Sequence, residues 1–196
     1  MMLSSFPPAH PPHLRRYTFE RRCLLPLRRD ELWKIETGAV RALTWSEDGT
    51  VISLGLWGPE DVVGAVLSKA QPYQIESLTR VQATLQPVGT WPEVTEALVR
   101  HTQQLGEFLE MRQCKPIDAS LLRLLGWLSK RFGRQVEQGQ LIDLRLTHQE
   151  IAEMIGSNRV TVTRMLSTFE KQGIICRQRR NFVLVPDRQP FWHYEI

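Results

Sequence analysis

Arg159 and Arg164 are the side chains best suited to a specific chemical task; they stand five positions apart behind the run Gly156-Ser157-Asn158. A guanidinium presents a planar fork of donors that matches O6 and N7 of guanine in the major groove of DNA. Val160 lies beside Arg159, and on a helix its apolar side chain points away from the core side. A thymine methyl is the partner the groove offers such a group. Thr161, Thr163 and Ser167 add hydroxyls suited to phosphate contacts, which set register without reading sequence. Other chemistries find little support. There is no GxSxG, P-loop, HExxH or paired-carboxylate arrangement. His10, His13, His101, His148 and His193 are dispersed, and Cys23, Cys114 and Cys176 lack CxxC spacing, so neither a disulfide framework nor a closed zinc site is expected. No catalytic residue, metal or cofactor is expected.

The elements that must hold the arginines are written locally. Thr147-His148-Gln149-Glu150 has the pattern of a capping box, in which the threonine hydroxyl and the glutamate carboxylate each satisfy an amide at a helix start. The helix it opens, 149–155, would bury Ile151, Met154 and Ile155. Gly156 supplies a tight turn, Ser157 or Asn158 caps a second helix running to about Gln172, and Gly173 stops it. Val162, Met165, Leu166 and Phe169 form its inward stripe. Two short helices joined through a glycine turn make a helix-turn-helix, the unit that places a helix in the major groove. Beyond it, residues 174–176 and 182–185 flank Arg177-Gln178-Arg179-Arg180-Asn181. That is a basic hairpin wing placed to touch a phosphate backbone, with Arg179 and Arg180 at its tip. Thr147, His148, Ser157 and Asn158, at the two helix starts, complete the candidate backbone contacts.

Charge agrees with this placement. Residues 1–117 carry 13 Lys/Arg and 13 Asp/Glu, whereas residues 118–196 carry 12 and 8, so the whole excess of +4 sits in the last 79 residues. Polyanion binding therefore belongs to the C-terminal part. Upstream, residues 32–67 read as short strands, with Asp48-Gly49 as a hairpin signal and further strand-like material at 74–85. From Trp91 the periodicity is helical. Pro116 interrupts, Asp118 is placed to cap a new helix, and Gly133 ends it after Leu121, Leu124, Leu125, Leu128 and Phe132. Residues 1–20 are proline-rich and read as a flexible arm without the apolar core of a secretory signal. No apolar run reaches bilayer length, so the expectation is a cytoplasmic protein with no membrane partner.

The stretch LTHQEIAEMIGSNRVTVTRMLSTFEKQGII, residues 146–175, resembles the winged helix-turn-helix of the CRP/FNR family, most closely its nitrogen-regulator branch typified by NtcA. LWKIETGAV and EDGTVISLGLWGPEDVVG are similar to the family's β-roll. The resemblance implies an α+β chain with an antiparallel, cyclic-nucleotide-binding-like β-roll at 21–100. It also implies a long dimerisation helix and hinge at 101–117 and a winged helix-turn-helix at 118–196. Leu105, Phe108, Leu109 and Arg112 fall on the dimerisation helix. Such a regulator binds double-stranded DNA as a homodimer and contacts RNA polymerase. Base reading carries over to Arg159, Val160 and Arg164. Many relatives have glutamate at the position of Val160, which accepts from a cytosine amine; valine cannot, so a palindromic site of the GTA…TAC class is expected.

The sensor half departs from the family pattern. Gly64 is followed by Ala65 rather than the glutamate of a cyclic-nucleotide site, and 73–79 contains no Arg-Ser pair, so cyclic nucleotide is not expected. The alternative is an effector-controlled regulator that takes 2-oxoglutarate or another small ligand in the β-roll. Gly64, Ala65 and Val66 faintly resemble the effector loop for that acid, and Glu107 falls where the helix supplies a carboxylate. A dicarboxylate wants paired arginines. None occurs from Asp61 to Thr79, and Thr102 falls where the helix would supply one.

Overall fold

Seven strands form the N-terminal half: β1 (Arg16–Phe19), β2 (Glu31–Thr37), β3 (Val40–Trp45), β4 (Val51–Trp57), β5 (Val62–Val63), β6 (Gln74–Ser77) and β7 (Val81–Pro87). They make two antiparallel sheets, ordered β1-β7-β2-β5 and β4-β3-β6. The computed structural model describes residues 15–87 and 91–185. Period-two alternation sends one face of each strand inward. In β6, for instance, Ile75 and Ser77 are buried while Gln74 and Glu76 are partly exposed. Trp33, Ile35, Val40, Ala42, Trp57, Ile75 and Val81 meet between the sheets. The Asp48-Gly49 signal is realised in the loop joining β3 to β4. Trp45 faces Val51, Gly49 takes a φ of 82°, and the Asp48 carboxylate accepts from the Thr50 N–H at 3.0 Å.

Two boundaries differ from expectation. The stretch read as an arm contributes β1, which pairs with β7 from Arg16↔Thr84 to Phe19↔Val81. Its aromatic rings decide this: Tyr17 and Phe19 stand edge-on to Trp33 at 5.1 and 5.3 Å. The remainder of the expected arm, residues 1–14, lies outside the described residues. The long helix α1 runs Trp91–Gln113, from the residue where the helical periodicity begins, so the sheets end with β7 and helix occupies the end of the 21–100 span expected for the β-roll.

Helix α2 (Ile117–Phe132) follows, with Pro116 rather than the expected Asp118 at its N-cap position and no side-chain cap. Asp118 sits in its first turn, where it accepts from the Ala119 N–H at 2.8 Å. Gly133 ends it, because a Cβ there would lie 1.9 Å from the Ser129 carbonyl oxygen. A hairpin absent from the sequence expectation comes next, β8 (Gly133–Val136) and β9 (Gly139–Ile142). Then come α3 (His148–Ile155), α4 (Arg159–Lys171), β10 (Ile175–Gln178) and β11 (Asn181–Leu184). The four C-terminal strands form one sheet, β10-β11-β9-β8.

The two halves share a core. Ala39, Leu56 and Leu78 from the sheets and Phe108 and Met111 from α1 belong to the same apolar cluster as Leu121, Ile151, Leu166 and Phe182. Polar ties cross the same junction. Asp61, 1% exposed, accepts from the Gly58 N–H at 2.7 Å, from Gln104 Nε2 at 2.8 Å and from Arg131 Nη2. One buried carboxylate thus joins the β4–β5 loop, α1 and α2. Asp61→Ala leaves a buried amide and a guanidinium without their acceptor. It should cost about 2–3 kcal/mol by urea denaturation, the range for bonds to charged groups.

His101 on α1 stacks on Trp57 with centroids 4.8 Å apart, and its Nδ1–H donates to the Val62 carbonyl at 3.0 Å. Burial pushes this imidazole below its usual 6.5, against the opposing pull of the Val62 carbonyl and Asp61. The folded state therefore favours the neutral ring, while the unfolded chain takes up a proton as pH falls below 6.5. The stability His101 provides is complete above 6.5 and is lost as pH falls through the lower folded value. Unfolding titrations from about pH 7 down to about pH 5, the histidine range, should show a flatter decline in His101→Gln than in the wild type.

Candidate nucleic-acid interface

The capping box forms at the start of α3. Thr147 Oγ1 accepts from the Glu150 N–H at 3.1 Å, and Glu150 Oε2 accepts from the Thr147 N–H at 2.6 Å. Gly156 closes α3 in the left-handed region at φ 66°, a conformation that costs glycine little. Asn158, rather than Ser157, caps α4, its Oδ1 accepting from the Thr161 N–H at 2.8 Å. Ser157 is half-buried in the turn. Val162, Leu166 and Phe169 are buried, with Met165 half-buried at the edge of the stripe. The turn and the two caps fix which way α4 faces.

Its outer face carries the expected groups. Arg159 and Arg164 are exposed, and their side chains have no hydrogen bond or ion pair among the described residues. Val160 is 78% exposed, more than any other large exposed hydrophobic residue described. Thr163 Oγ1 donates to the Arg159 carbonyl at 2.8 Å, so the His148 Nδ1–H donates to that hydroxyl, also at 2.8 Å. Ser167 Oγ donates to the Thr163 carbonyl at 3.0 Å. Burial, and then the nearby Arg177 and Arg159, hold the His148 imidazole below its usual value.

The wing is present as β10 and β11, paired from Ile175↔Leu184 to Gln178↔Asn181. Arg179 and Arg180 form the exposed two-residue tip, with Arg179 at a φ of 59°. Arg177 lies over the Phe182 ring at 5.2 Å and pairs with Glu170, which turns it back toward α4. A cleft of about 680 Å³ adjoins the helix starts, lined by Thr147, His148, Gln149 and Arg159 together with Arg22 from the β1–β2 loop and Arg41 from β3.

The expected dimer-helix residues separate. Phe108 is buried within its own chain, and Leu105 is half-buried against the sheet cluster. Arg112 Nη1 donates to the Ser53 carbonyl at 3.0 Å. Leu109 alone of the four is open to solvent, at 60%. The expected effector residues separate as well. Gly64 is buried, and a Cβ there would come within 2.8 Å of Leu32 Cδ2. Ala65 and Val66 line a cleft of about 550 Å³ with Arg29, Lys69 and Tyr73. Glu107 is not among its lining residues and instead accepts from Trp127 Nε1 at 2.7 Å. Among the described residues no group of three or more His, Cys, Asp or Glu is gathered to hold a metal. No described helix is long and apolar enough to cross a membrane.

Residues 119–191 match the Crp-like helix-turn-helix domain. The regulatory protein CysR of Synechococcus elongatus is 42% identical over 91% of this chain and 88% of its own length. The chain belongs to the CRP/FNR family of transcription regulators. The global nitrogen regulator of the same organism is 27% identical over 79% of this chain and 77% of its length. The expected likeness to nitrogen regulators thus holds, and CysR shares more identity. A CRP-family transcriptional regulator of Thermus thermophilus has the same fold, with a TM-score of 0.75 and 24% identity over 87% of this chain and 92% of that one. The protein is accordingly a DNA-binding transcription regulator of CRP/FNR type, a family of regulators rather than enzymes.

Orientation of α4 depends on its cap. Asn158→Ala removes the acceptor for the Thr161 amide and should cost about 1 kcal/mol, read by chemical denaturation followed by circular dichroism.

Proposed function

We propose that the chain binds a palindromic DNA site as a homodimer in the cytoplasm and contacts RNA polymerase there. Arg159, Val160 and Arg164 read bases of each half-site. The observation that carries this is the outer face of α4, where a guanidinium without a partner among the described residues stands on either side of an apolar side chain that is 78% exposed. Exposing a valine to water gains the folded chain nothing, whereas a thymine methyl covers it. Thr147, His148, Ser157, Asn158, Thr161, Thr163, Ser167, Arg179 and Arg180 supply backbone contacts around that face.

A second surface supports the dimer. Val99, Thr102, Gly106, Leu109 and Gln113 lie on the exposed side of α1 at alternating spacings of three and four. That is the spacing of a two-stranded coiled-coil seam, with Val99 and Leu109 as its apolar members. Nothing described lies within 4 Å of a Cβ built on Gly106, which leaves room for a partner helix to approach closely.

Regulation proceeds without cyclic nucleotide. The space between the sheets and α1 is filled at one level by the Trp57–His101 stack and at the next by Asp61 with Gln104. The 2-oxoglutarate reading has less support, because the cleft at Ala65 and Val66 holds one arginine and Glu107 is bonded elsewhere. Isothermal titration with cyclic AMP and with 2-oxoglutarate should show no micromolar binding of either; such binding would overturn this part.

Selection from a random duplex pool should return half-sites of the GTA…TAC class. Arg159→Ala should abolish specific binding while leaving the dimer intact. Val160→Glu should move the preference toward cytosine at the inner position, by about 1–3 kcal/mol of discrimination. An inner cytosine already preferred by the wild type would overturn the assignment of Val160.

A further inference from the structure

One wall of the cleft beside the two helix starts comes from the other half of the chain. Arg22, in the loop between β1 and β2, lines the same space as Thr147, His148 and Arg159. Each acidic group of that cleft has a hydrogen-bond or ion-pair partner. Glu76 and Glu153 each bond to Arg41 at 2.7 Å. Glu150 accepts the Thr147 N–H and lies 3.6 Å from Arg21 Nη2. Arg22 and Arg159 are different: both are exposed, and neither side chain has a hydrogen bond or ion pair among the described residues. The charged side chains that line this space without a partner among the described residues are both cationic.

The backbone at Arg22 is unusual in a way that bears on the side chain. Its φ is 66°, in the left-handed region that glycine adopts freely and a residue with a Cβ does not. The turn is held there by buried Ser77. The Arg22 N–H donates to the Ser77 carbonyl at 2.7 Å, Ser77 Oγ donates to the Glu20 carbonyl at 2.6 Å, and the Cys23 N–H donates to Ser77 Oγ at 2.9 Å. A glycine would suit this turn with less strain, yet the position carries an arginine aimed at the cleft. Strained residues whose conformation the surroundings over-determine cluster at ligand contacts.

We propose that Arg22 is a DNA-backbone contact supplied by the sheet half. The duplex that α3 and α4 engage is then also held at a phosphate by the β1–β2 loop. This rests on the reading of α4 as the DNA surface. A phosphate is the group in question because Arg22 stands on a loop outside the groove-entering helix, and a guanidinium grips phosphate oxygens with charge-assisted bonds. Arg22 therefore adds affinity and salt dependence and leaves base preference alone.

The test uses the full-length chain and a duplex selected from the random pool, with binding followed by fluorescence anisotropy across a potassium chloride series. For Arg22→Gly the slope of log affinity against log salt should be shallower by about 1 for each protomer bound, with base preference unchanged. Arg22→Lys should keep the wild-type slope. The melting temperature of Arg22→Gly should equal or exceed that of the wild type, which separates a lost contact from a loosened fold. Arg22→Ala gives the same comparison should the glycine loosen the turn. An unchanged slope in both variants overturns the proposal, including the case in which transcription falls, since that outcome assigns Arg22 to the polymerase. If the wild type binds no duplex, the DNA reading itself fails, and the proposal with it.

Discussion

Arg41 leaves β3 with 8% of its surface exposed and lies between two carboxylates, Glu76 on the neighbouring strand and Glu153 on α3. Burial alone would lower this guanidinium's affinity for its proton. The bonds to Glu76 and Glu153 outweigh that and hold its affinity for the proton above the ordinary arginine value. A buried ion triad of this kind is weak evidence for stability, because desolvation offsets most of the Coulomb gain. Its consequence is geometric. An apolar interface tolerates sliding, whereas a guanidinium bonded at 2.7 Å on both sides fixes α3 relative to the sheet half.

That fixed relation governs the reading surface. The turn at Gly156 carries α3 directly into α4, so the setting of α3 sets the direction of Arg159, Val160 and Arg164. Gly156 itself lies close to the sheet-half junction, since a Cβ there would meet Arg112 Nη2 at 3.3 Å, and Arg112 in turn bonds the Ser53 carbonyl. Asp61 fixes the neighbouring end of the interface through Gln104 and Arg131. The helix-turn-helix is therefore held at several polar points spread across β3, β4, the β4–β5 loop and α1.

Legibility in the sequence follows the range of the interactions involved. The capping box, the Gly156 turn and the inward stripe of α4 span at most a dozen residues, and each has a local physical cause visible as residue type and spacing. The hairpin at Asp48-Gly49 was legible for the same reason. β1 was not, because Tyr17 and Phe19 become strand residues only through Trp33, and the neighbouring prolines dominate the local composition. The β8–β9 hairpin was missed although Gly139 marks its turn, since Gly-Arg-Gln-Val and Gly-Gln-Leu-Ile carry little apolar alternation. On α1 the apolar period was visible, but not which stripe faces inward. Phe108 belongs to the chain's own core and Leu109 to the open face, a distinction made only by the sheets and α2. Arg22 offered one signal, its basic pair with Arg21, and that does not point to the helix starts without the fold.

Base choice and binding strength thus draw on different parts of the molecule. On the proposed reading, the choice of base rests on three side chains and a cap within α4. The number of phosphates held at once is not local. With Arg22 on the β1–β2 loop facing Thr147 and Arg159, the count depends on how the sheet half sits on α3, and hence on Arg41 and Asp61. With the proposed Arg22 contact, a disturbance in the sheets that moved this seat by a few ångströms would withdraw a cation from the backbone. On that proposal the sheet half bears on affinity, and on its salt dependence, more directly than on specificity.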